Sequence, residues 1–236
     1  MNHYNLDSAI LLFTNDSHTE SRLKSFTPNN NQEENKTIAQ KLINHTVNKL
    51  KQSGIPYYII DTNQQVGTTF GQKLANATQH IFDKGYQKVI VVGNDCPTIT
   101  PTKLNDIAKL LTRQDVIIGP TNKGGTYLIG ITAQAFHKQT FENLPWQTKH
   151  LLTDLISYSK TNTKHYTITD YLNDINTVAD LIQYINTHSR TTKFAKVIAS
   201  FFLKKYNYLC FYGDTLRISF IRYFFSITAP PALIQS

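Results

Sequence analysis

The sequence predicts an α/β domain in which helices cover a largely parallel sheet. Short apolar runs that suit buried strands alternate with longer segments whose apolar residues recur at helical spacing. This alternation is typical of strands that are joined by crossover helices. In such sheets, ligands bind outside the carboxyl ends of the strands. Polar residues that directly follow a predicted strand are therefore the first candidates for a functional site.

The predicted elements follow one another from residue 9 to residue 187. Gly54 and Gly85 are predicted to stop two of the helices, and Thr100 is predicted to cap a third that opens at Pro101. Strands are predicted at residues 9–14, 57–60, 88–92, 115–118, 126–131 and 164–168, the last of them as an edge strand. Helices are predicted at residues 33–53, 70–84, 101–111, 147–159 and 177–187.

Composition and charge indicate one sizeable domain with a basic extension. The chain has 236 residues, of which 40% are hydrophobic and 17% charged, so it is able to bury a core and is not of a disordered type. The net charge is +8, and residues 191–236 hold six basic residues against one acid. We therefore predict a domain at residues 1–190 and a basic, aromatic, amphipathic extension at residues 191–236.

Several classes of protein are disfavoured by what the sequence contains. Its two cysteines, Cys96 and Cys210, make neither a disulfide framework nor a cysteine-based zinc site. The first residues lack the basic region of a signal peptide, and no apolar run approaches the roughly 18–20 residues of a membrane span. These observations predict a cytoplasmic protein. The charge of the extension comes without a recognised nucleic-acid-binding motif, so no nucleic-acid partner is expected.

The segment VVGNDCPTIT places an acid directly after the predicted strand 88–92. Gly93 allows close approach of a ligand or backbone, and Pro97 fixes the direction of the chain. Asp95 suits a carboxylate ligand of Mg²⁺ or Mn²⁺, which bind through one or two carboxylates together with phosphates. A turn or a helix cap explains the same residue equally well, so this segment alone leaves both interpretations open.

Four further segments each allow a structural and a functional interpretation. Gly124 and Gly125 lie between two predicted strands and favour a tight hairpin turn, although their backbone amides could also reach a ligand beside Tyr127. Asp174 and Asn176 precede a predicted helix, where they could act either as capping residues or as metal ligands.

Two further segments complete the candidates. Gly67 and Gly71 lead into the predicted helix that carries Lys73, and this helix start could either be a capped loop or bind an anion. Trp146 is expected to be a core or lid residue.

Together and in this order, these segments resemble one family of proteins. It is the GT-A-fold glycosyltransferase-like family that is associated with radical-SAM/selenodomain systems and with arsenosugar biosynthesis. The resemblance covers about residues 8–187. The segments that carry it are QQVGTTFGQK, VVGNDCPTIT, DVIIGPTNKGGTYLIG, LPWQT and NDINTVADL.

The resemblance implies a three-layer fold like that of nucleotide-diphosphosugar transferases, and an enzyme that uses Mg²⁺ or Mn²⁺. Such an enzyme moves a glycosyl or nucleotidyl group from a nucleotide donor to a small acceptor. Asp95 would hold the cation and act in catalysis, and Asp174 or Asn176 would complete the metal site. Arg22 and Lys24, in a loop at residues 14–24, would lie near the phosphates of the donor. The other implied binding residues are Gly67, Gly71, Lys73, Asn94, Gly124, Gly125, Thr126, Tyr127 and Trp146.

Two departures from the family pattern support an alternative function. Lys123 stands where the family usually has an acid before the paired glycines, and residues 21–24 keep only part of a longer basic motif. A binding or scaffold protein without turnover is therefore the second hypothesis. A third concerns the extension, which would either attach to an anionic membrane surface at the inner face or pack against the domain or a sister subunit.

Overall fold

The computed structural model describes residues 7–163, 165–206, 210–212 and 215–217. By contacts, the chain divides into two units, Met1–Val178 and Ala179–Ser236. The proposed domain boundary at residue 190 stays a prediction. Residues 218–236, which include the basic Arg222 of the extension, lie outside the described residues.

The first unit alternates strands and helices as predicted. Its strands are β1 Ser8–Phe13, β2 Tyr57–Ile60, β3 Lys88–Val92, β4 Val116–Pro120, β5 Thr126–Thr132 and β6 Tyr166–Ile168. Its helices are α1 Ser17–Leu23, α2 Gln32–Ser53, α3 Phe70–Asp83, α4 Pro101–Leu110, α5 Lys138–Glu142 and α6 Leu151–Asn162. All six predicted strands are present, and each predicted helix of this unit has a counterpart.

The six strands form one mostly parallel sheet in the order β2-β1-β3-β5-β4-β6. Only β5 runs against its neighbours, because it is antiparallel to both β3 and β4. The edge position that was predicted for the last strand is confirmed, since β6 pairs with β4 alone.

Helices cover both faces of the sheet, so the first unit has three layers. Successive residues of β1 lie in two different cores: Leu11 belongs to the cluster beneath α3, α5 and α6, whereas Leu12 belongs to the cluster beneath α2 and α4. A strand that is buried on both faces reads as a continuous apolar run, because successive side chains point to opposite sides. This explains why β1 and β3 show no polar alternation in the sequence.

Three of the predicted helix ends are confirmed by their geometry. Gly54 ends α2 in the left-handed conformation at φ 72°, and Gly85 follows α3 at φ 95°. Thr100 caps α4, since its side chain accepts a hydrogen bond from the Lys103 N–H, and Pro101 occupies the first turn. These are the positions at which glycine, threonine and proline are each favoured.

The prediction that residues 14–24 form a loop is wrong, because most of them form α1. Asp16 caps this helix by accepting hydrogen bonds from the N–H groups of His18 and Thr19. A helix of seven residues is too short to show an apolar period in the sequence, so the pattern that predicts the longer helices does not reveal this one. The predicted helix at residues 147–159 also begins later, at Leu151, since Gln147 adopts a left-handed φ of 62° that a helix does not tolerate.

The second unit contains α7 Val178–His188, α8 Lys193–Tyr206, β7 Cys210–Tyr212 and β8 Thr215–Arg217, the last two paired antiparallel. The amphipathic helix predicted in the extension is confirmed as α8. Ile198 and Phe202 on α8 are buried, while Val197 is 47% exposed. Within the described ranges, no helix has the length and apolar character needed to cross a bilayer.

Candidate active site

A cleft of about 980 Å³ opens in the first unit at the carboxyl edge of the parallel strands. Phe13 at the end of β1, Val92 at the end of β3 and Thr126 at the start of the antiparallel β5 all line it. The loops after β3 and before α7 complete the wall. This is the edge at which ligands bind in open α/β sheets.

Asp95 reaches the cleft directly after β3, as predicted. Its carboxylate is 27% exposed, and a Cβ atom added to Gly93 would lie 3.1 Å from its Oδ1 atom, so a larger residue at position 93 would press on it. The backbone carbonyl of Asp95 accepts a hydrogen bond of 2.8 Å from the Ile175 N–H. This bond holds the two acid-bearing segments, around residues 95 and 174, side by side.

A largely covered lysine, whose side chain is 16% exposed, pairs with Asp95. The Nζ atom of Lys24, at the end of α1, lies 3.3 Å from Asp95 Oδ2 and 2.8 Å from Glu20 Oε1. Burial alone would lower the pKa of Lys24, but the charges of Asp95 and Glu20 outweigh it and raise that pKa above its ordinary value. Glu20 is 3% exposed and is held by the Asn15 amide at 2.9 Å. The lysine is therefore an ammonium ion fixed between two carboxylates.

A second acid with a lysine neighbour lies on the loop before α7. Asn176 donates a hydrogen bond from its amide to Asp174 Oδ2. The other oxygen, Oδ1, is buried and accepts no hydrogen bond, and the Lys123 Nζ atom lies 3.8 Å from it. Lys123 is half exposed, so this pair is looser than that of Lys24. An unbonded buried carboxylate oxygen is costly unless a cation satisfies it.

Cys96 follows Asp95 in the chain, and its burial makes it poorly suited to act as a nucleophile. Burial raises the pKa of the Cys96 thiol well above its ordinary value, and the charges of Asp95 and Asp174 raise it further. The thiol therefore stays protonated, whereas nucleophilic cysteines react as thiolates.

The paired glycines form the tight turn between β4 and β5, so the predicted hairpin is confirmed. The Gly125 N–H donates to Thr121 Oγ1 at 3.2 Å, and Gly124 adopts a left-handed φ of 85°. A Cβ atom on Gly124 would lie 2.8 Å from the carbonyl oxygen of Lys149, so Gly124 packs closely against the loop that precedes α6. Gly125, but not Gly124, lines the cleft.

Both predicted aromatic residues line the cleft while being held by other contacts. The ring of Tyr127 is 2% exposed and packs on Gly119, and its hydroxyl lies 2.9 Å from Thr169 Oγ1. Burial raises the pKa of Tyr127. Trp146 donates its Nε1–H to the Phe141 carbonyl at 2.9 Å. These contacts make both residues rigid parts of the wall.

The structure brings together most, but not all, of the residues predicted for the site. Arg22 is exposed on α1, Gly71 packs against the Glu142 carbonyl, and Gly67 packs against Gln72. These three and Gly124 do not line the cleft. The predicted residues that do line it are Lys24, Lys73, Asn94, Asp95, Gly125, Thr126, Tyr127, Trp146, Asp174 and Asn176.

Sequence reasoning missed several residues of the cleft, of which Glu20 matters most. It stands four residues before Lys24, a spacing at which acid and base pair on a helix. The spacing is informative only where residues 17–24 are helical, and an isolated acid–base pair does not by itself predict a helix. Asn15, Thr121 and Lys149 also line the cleft, and no motif marks them in the sequence.

The donor atoms of the cleft fit a hard divalent cation. Among the described residues, no group of three or more His, Cys, Asp or Glu side chains is placed to hold a metal ion. Two carboxylates and one amide, from Asp95, Asp174 and Asn176, are nevertheless oxygen donors of the kind that Mg²⁺ combines with water and phosphate oxygens. The buried, unbonded Oδ1 of Asp174 supports this fit.

Comparison with known proteins gives one family match and one curated relative. Residues 39–148 match a family described as "Uncharacterized protein conserved in bacteria (DUF2064)". A 2-phospho-L-lactate guanylyltransferase from Methanocaldococcus jannaschii is 32% identical over 111 residues, which are 46% of this chain. The match spans 47% of that enzyme, so the chain matches about half the length of its curated relative.

A solved structure resembles most of the fold. It is a protein from Desulfovibrio desulfuricans G20 that is named as a proposed nucleotide-diphospho-sugar transferase. It is 20% identical to this chain, with a TM-score of 0.71, and the alignment covers 82% of this chain and 94% of that one. The protein therefore has a nucleotide-diphosphosugar-transferase-like fold, and its residues 39–148 match the DUF2064 family.

Proposed function

We propose that the protein is a transferase that moves a nucleotidyl or glycosyl group from a nucleotide donor to a small acceptor. The observation that carries this proposal is the meeting of two acid-bearing segments, hydrogen-bonded through Asp95 and Ile175, at the carboxyl edge of a transferase-like sheet. The guanylyltransferase relative, which matches over part of the chain, supports transfer from a nucleotide. In nucleotidyl transfer the acceptor would attack the α-phosphorus of a nucleoside triphosphate and pyrophosphate would leave, whereas in glycosyl transfer it would attack the anomeric carbon of a nucleotide sugar and the nucleoside diphosphate would leave.

In this proposal Asp95, Asp174 and Asn176 hold Mg²⁺ or Mn²⁺. The cation, when bound, would neutralise charge on the leaving group, which is pyrophosphate in nucleotidyl transfer and the nucleoside diphosphate in glycosyl transfer. Asp95 is exposed enough to offer an oxygen to the cleft, and Asp174 offers one that accepts no hydrogen bond. The protein itself would position the carboxylates of Asp95 and Asp174, because the hydrogen bond from Ile175 to the Asp95 carbonyl joins the two segments that carry them.

The remaining cleft residues divide into a phosphate side and an acceptor side. Lys24 and Lys73 supply positive charge for the donor phosphates, beside the amide of Asn94. The backbone of Gly125 and Thr126 leaves room for the acceptor, and Trp146 closes the wall on that side. Arg22, Gly67, Gly71 and Gly124 act by shaping the neighbouring loops and helices, since they do not line the cleft.

Asp95→Ala tests the metal role. Isothermal titration of the full chain with GDP, CDP and UDP, with and without Mn²⁺, should show nucleotide binding that Mn²⁺ strengthens and that the substitution weakens by about tenfold or more. Asp106→Ala removes an exposed acid of α4 that does not line the cleft, and it serves as the control. Equal binding by wild type and Asp95→Ala would remove the proposed metal role.

A non-catalytic binding or scaffold function is the second candidate, and one contact favours it. Lys123 lies 3.8 Å from Asp174, so a cation of the protein already accompanies one proposed metal ligand. A measurement of catalytic turnover distinguishes the transferase from the non-catalytic scaffold. Donor hydrolysis or transfer above background that is lost in Asp95→Asn supports the enzyme, and its absence with every nucleotide and cation tested supports the scaffold.

For the extension, we propose packing within the protein or its assembly rather than attachment to a membrane. Ile198 and Phe202 on the apolar stripe of α8 are buried, which leaves them little area to offer a lipid surface. Attachment to an anionic membrane remains the alternative outcome for a truncation experiment.

A further inference from the structure

Each acid proposed to hold the cation has a lysine beside it, and the two lysines differ in how they are held. Lys24 touches Asp95 at 3.3 Å and is also anchored by Glu20, whereas Lys123 lies 3.8 Å from Asp174 and is half exposed. Two ammonium groups carry the same total charge as one divalent cation. Because Lys24 also pairs with Glu20, these two ammonium groups only partly balance the three carboxylates of Glu20, Asp95 and Asp174.

Lys24 contacts Asp95 through Oδ2, so a divalent cation that binds Asp95 through this oxygen would compete with the ammonium for it. Metal–oxygen distances for Mg²⁺ are about 2.1 Å, so a cation on Asp95 Oδ2 would lie close to an ammonium that is 3.3 Å from that oxygen. Two positive charges at that separation in a partly dry cleft repel each other strongly. One of them has to leave the oxygen when the other binds.

Glu20 determines where the displaced ammonium goes. It lies 2.8 Å from the Lys24 Nζ atom, is almost fully buried, and is fixed by Asn15. Lys24 therefore stays in the cleft when it loses Asp95. An ammonium has three N–H donors, so one contact to Glu20 leaves others for a new acceptor.

We propose that Lys24 is a counter-ion that the divalent cation displaces from Asp95, and that the released ammonium binds the phosphates of the nucleotide. This inference rests on the proposed function, because it assumes a cation and a nucleotide in the cleft. Its consequence is positive coupling between the two ligands that depends on Lys24, since the metal frees a phosphate-binding group. Lys123 acts in the same way on Asp174, with a smaller effect because its contact is longer and more exposed.

The Lys24→Met variant tests separately the two proposed roles of Lys24, namely its competition with the cation at Asp95 and its binding of the nucleotide phosphates. Without nucleotide, the variant should bind Mn²⁺ about tenfold more tightly than wild type, since the competing charge-assisted contact is gone. With saturating Mn²⁺ it should bind GDP several-fold more weakly, so the coupling between the ligands falls. Both constants are measured by isothermal titration, and free Mn²⁺ is followed independently by its electron paramagnetic resonance signal.

Lys149→Met is the matched control. Lys149 lines the same cleft and forms no ion pair with any residue that the structure describes, so its removal takes away the same charge without freeing a carboxylate. It should leave the affinity for Mn²⁺ alone nearly unchanged.

Loss of Lys24 leaves the buried Glu20 without its partner, so a second variant guards against unfolding. Lys24→Met combined with Glu20→Gln removes both charges and should show the same gain in Mn²⁺ affinity, with circular dichroism confirming the fold. Unchanged or weaker Mn²⁺ binding in the folded variant overturns the exchange. If wild type binds neither Mn²⁺ nor nucleotide, the proposed function fails as well, whereas binding of both with no gain in the variants overturns the exchange alone.

Discussion

Gly71 shows how closely one residue is fitted in this fold. A Cβ atom at this position would lie 1.9 Å from the carbonyl oxygen of Glu142 and 2.7 Å from Cδ1 of Trp146. The first of these atoms belongs to the backbone of α5, so it is unable to move aside as a flexible side chain would. The glycine lets α3 and α5 touch, and this contact supports the tryptophan that lines the cleft.

Gly71→Ala should destabilise the protein although alanine is the better helix former. Helix propensity favours alanine by up to about 1 kcal/mol. The overlap with α5 acts against it, and overpacking of this kind costs about 1–3 kcal/mol, so the steric effect should win. Denaturant unfolding measures the change. His80→Ala, at an exposed position of the same helix, is the control and should change stability by less than about 0.5 kcal/mol; a Gly71→Ala protein as stable as the control would contradict the contact.

At the residue scale, the sequence was informative where a side chain follows a strand. Asp95 was predicted to lie at the site because it comes after a buried apolar run, and the structure places it at the cleft. The pairing of Lys24 with Glu20 was not predictable in the same way, because it depends on a short helix and on burial from several segments. The unbonded oxygen of Asp174 likewise depends on packing that no spacing in the sequence encodes.

At the level of elements, α1 is what delivers Lys24 and Glu20 to the cleft. The helix has only seven residues, so its cap is a large part of its stability. Asp16 Oδ1 accepts the N–H groups of His18 and Thr19, and Asp16 Oδ2 accepts the Thr19 hydroxyl at 2.7 Å. These bonds, with the Thr19 hydroxyl first among them, lower the pKa of Asp16 from 3.8 to about 2.

Asp16→Ala should therefore destabilise the protein in a pH-dependent way. At neutral pH the loss of the cap should cost about 1 kcal/mol. Because the pKa of Asp16 is lower in the folded protein, its stabilising effect is fully present above pH 3.8 and is lost as the pH falls through about 2. Thermal or denaturant unfolding of wild type and variant, from pH 7 downward, should show the difference shrinking toward pH 2.

Thr100→Ala provides the control for this pH series. Thr100 caps α4 with a hydroxyl group, which does not titrate, so its contribution should not follow the same pH dependence. If the Asp16→Ala difference stayed constant as the pH approached 2, the charged cap would not be the source of the stability.

The elements themselves were largely predictable, and the exceptions have physical causes. Long helices such as α2 and buried strands such as β3 carry an apolar pattern over many residues, and both are found as predicted. Short elements carry no such pattern, so α1 and α5 were missed. The late start of α6 follows from the left-handed conformation of Gln147, which glutamine adopts only when the surrounding chain imposes it.

On the scale of the whole molecule, the extension is the part whose role is least tied to the cleft. Truncation after Ser189 removes α8 and with it Phe194, whose ring lies 6.1 Å from that of the buried Tyr184. We expect the truncated protein to lose solubility or cooperative unfolding, because apolar surface of α7 becomes exposed. Static light scattering and thermal unfolding measure this outcome.

Membrane attachment of the extension would give a different result in the same truncation experiment. A truncated protein that stays soluble and folded, but loses a salt-sensitive binding to phosphatidylserine vesicles shown by the full chain, would contradict packing and support membrane attachment. Salt sensitivity matters because attraction between the basic extension and anionic lipid is screened at high ionic strength.

The hydrogen bond from Ile175 to Asp95 has a consequence for protein synthesis. A chain leaves the ribosome with its N-terminal part first, so Asp95 emerges well before Asp174 and Asn176. The strands β4, β5 and β6 lie between the two segments in the chain, so they are synthesised before Ile175 is available to bond to Asp95. A chain that ends before residue 174 therefore has Asp95 but lacks Asp174. The proposed metal site can form only when nearly all of the first unit has been synthesised.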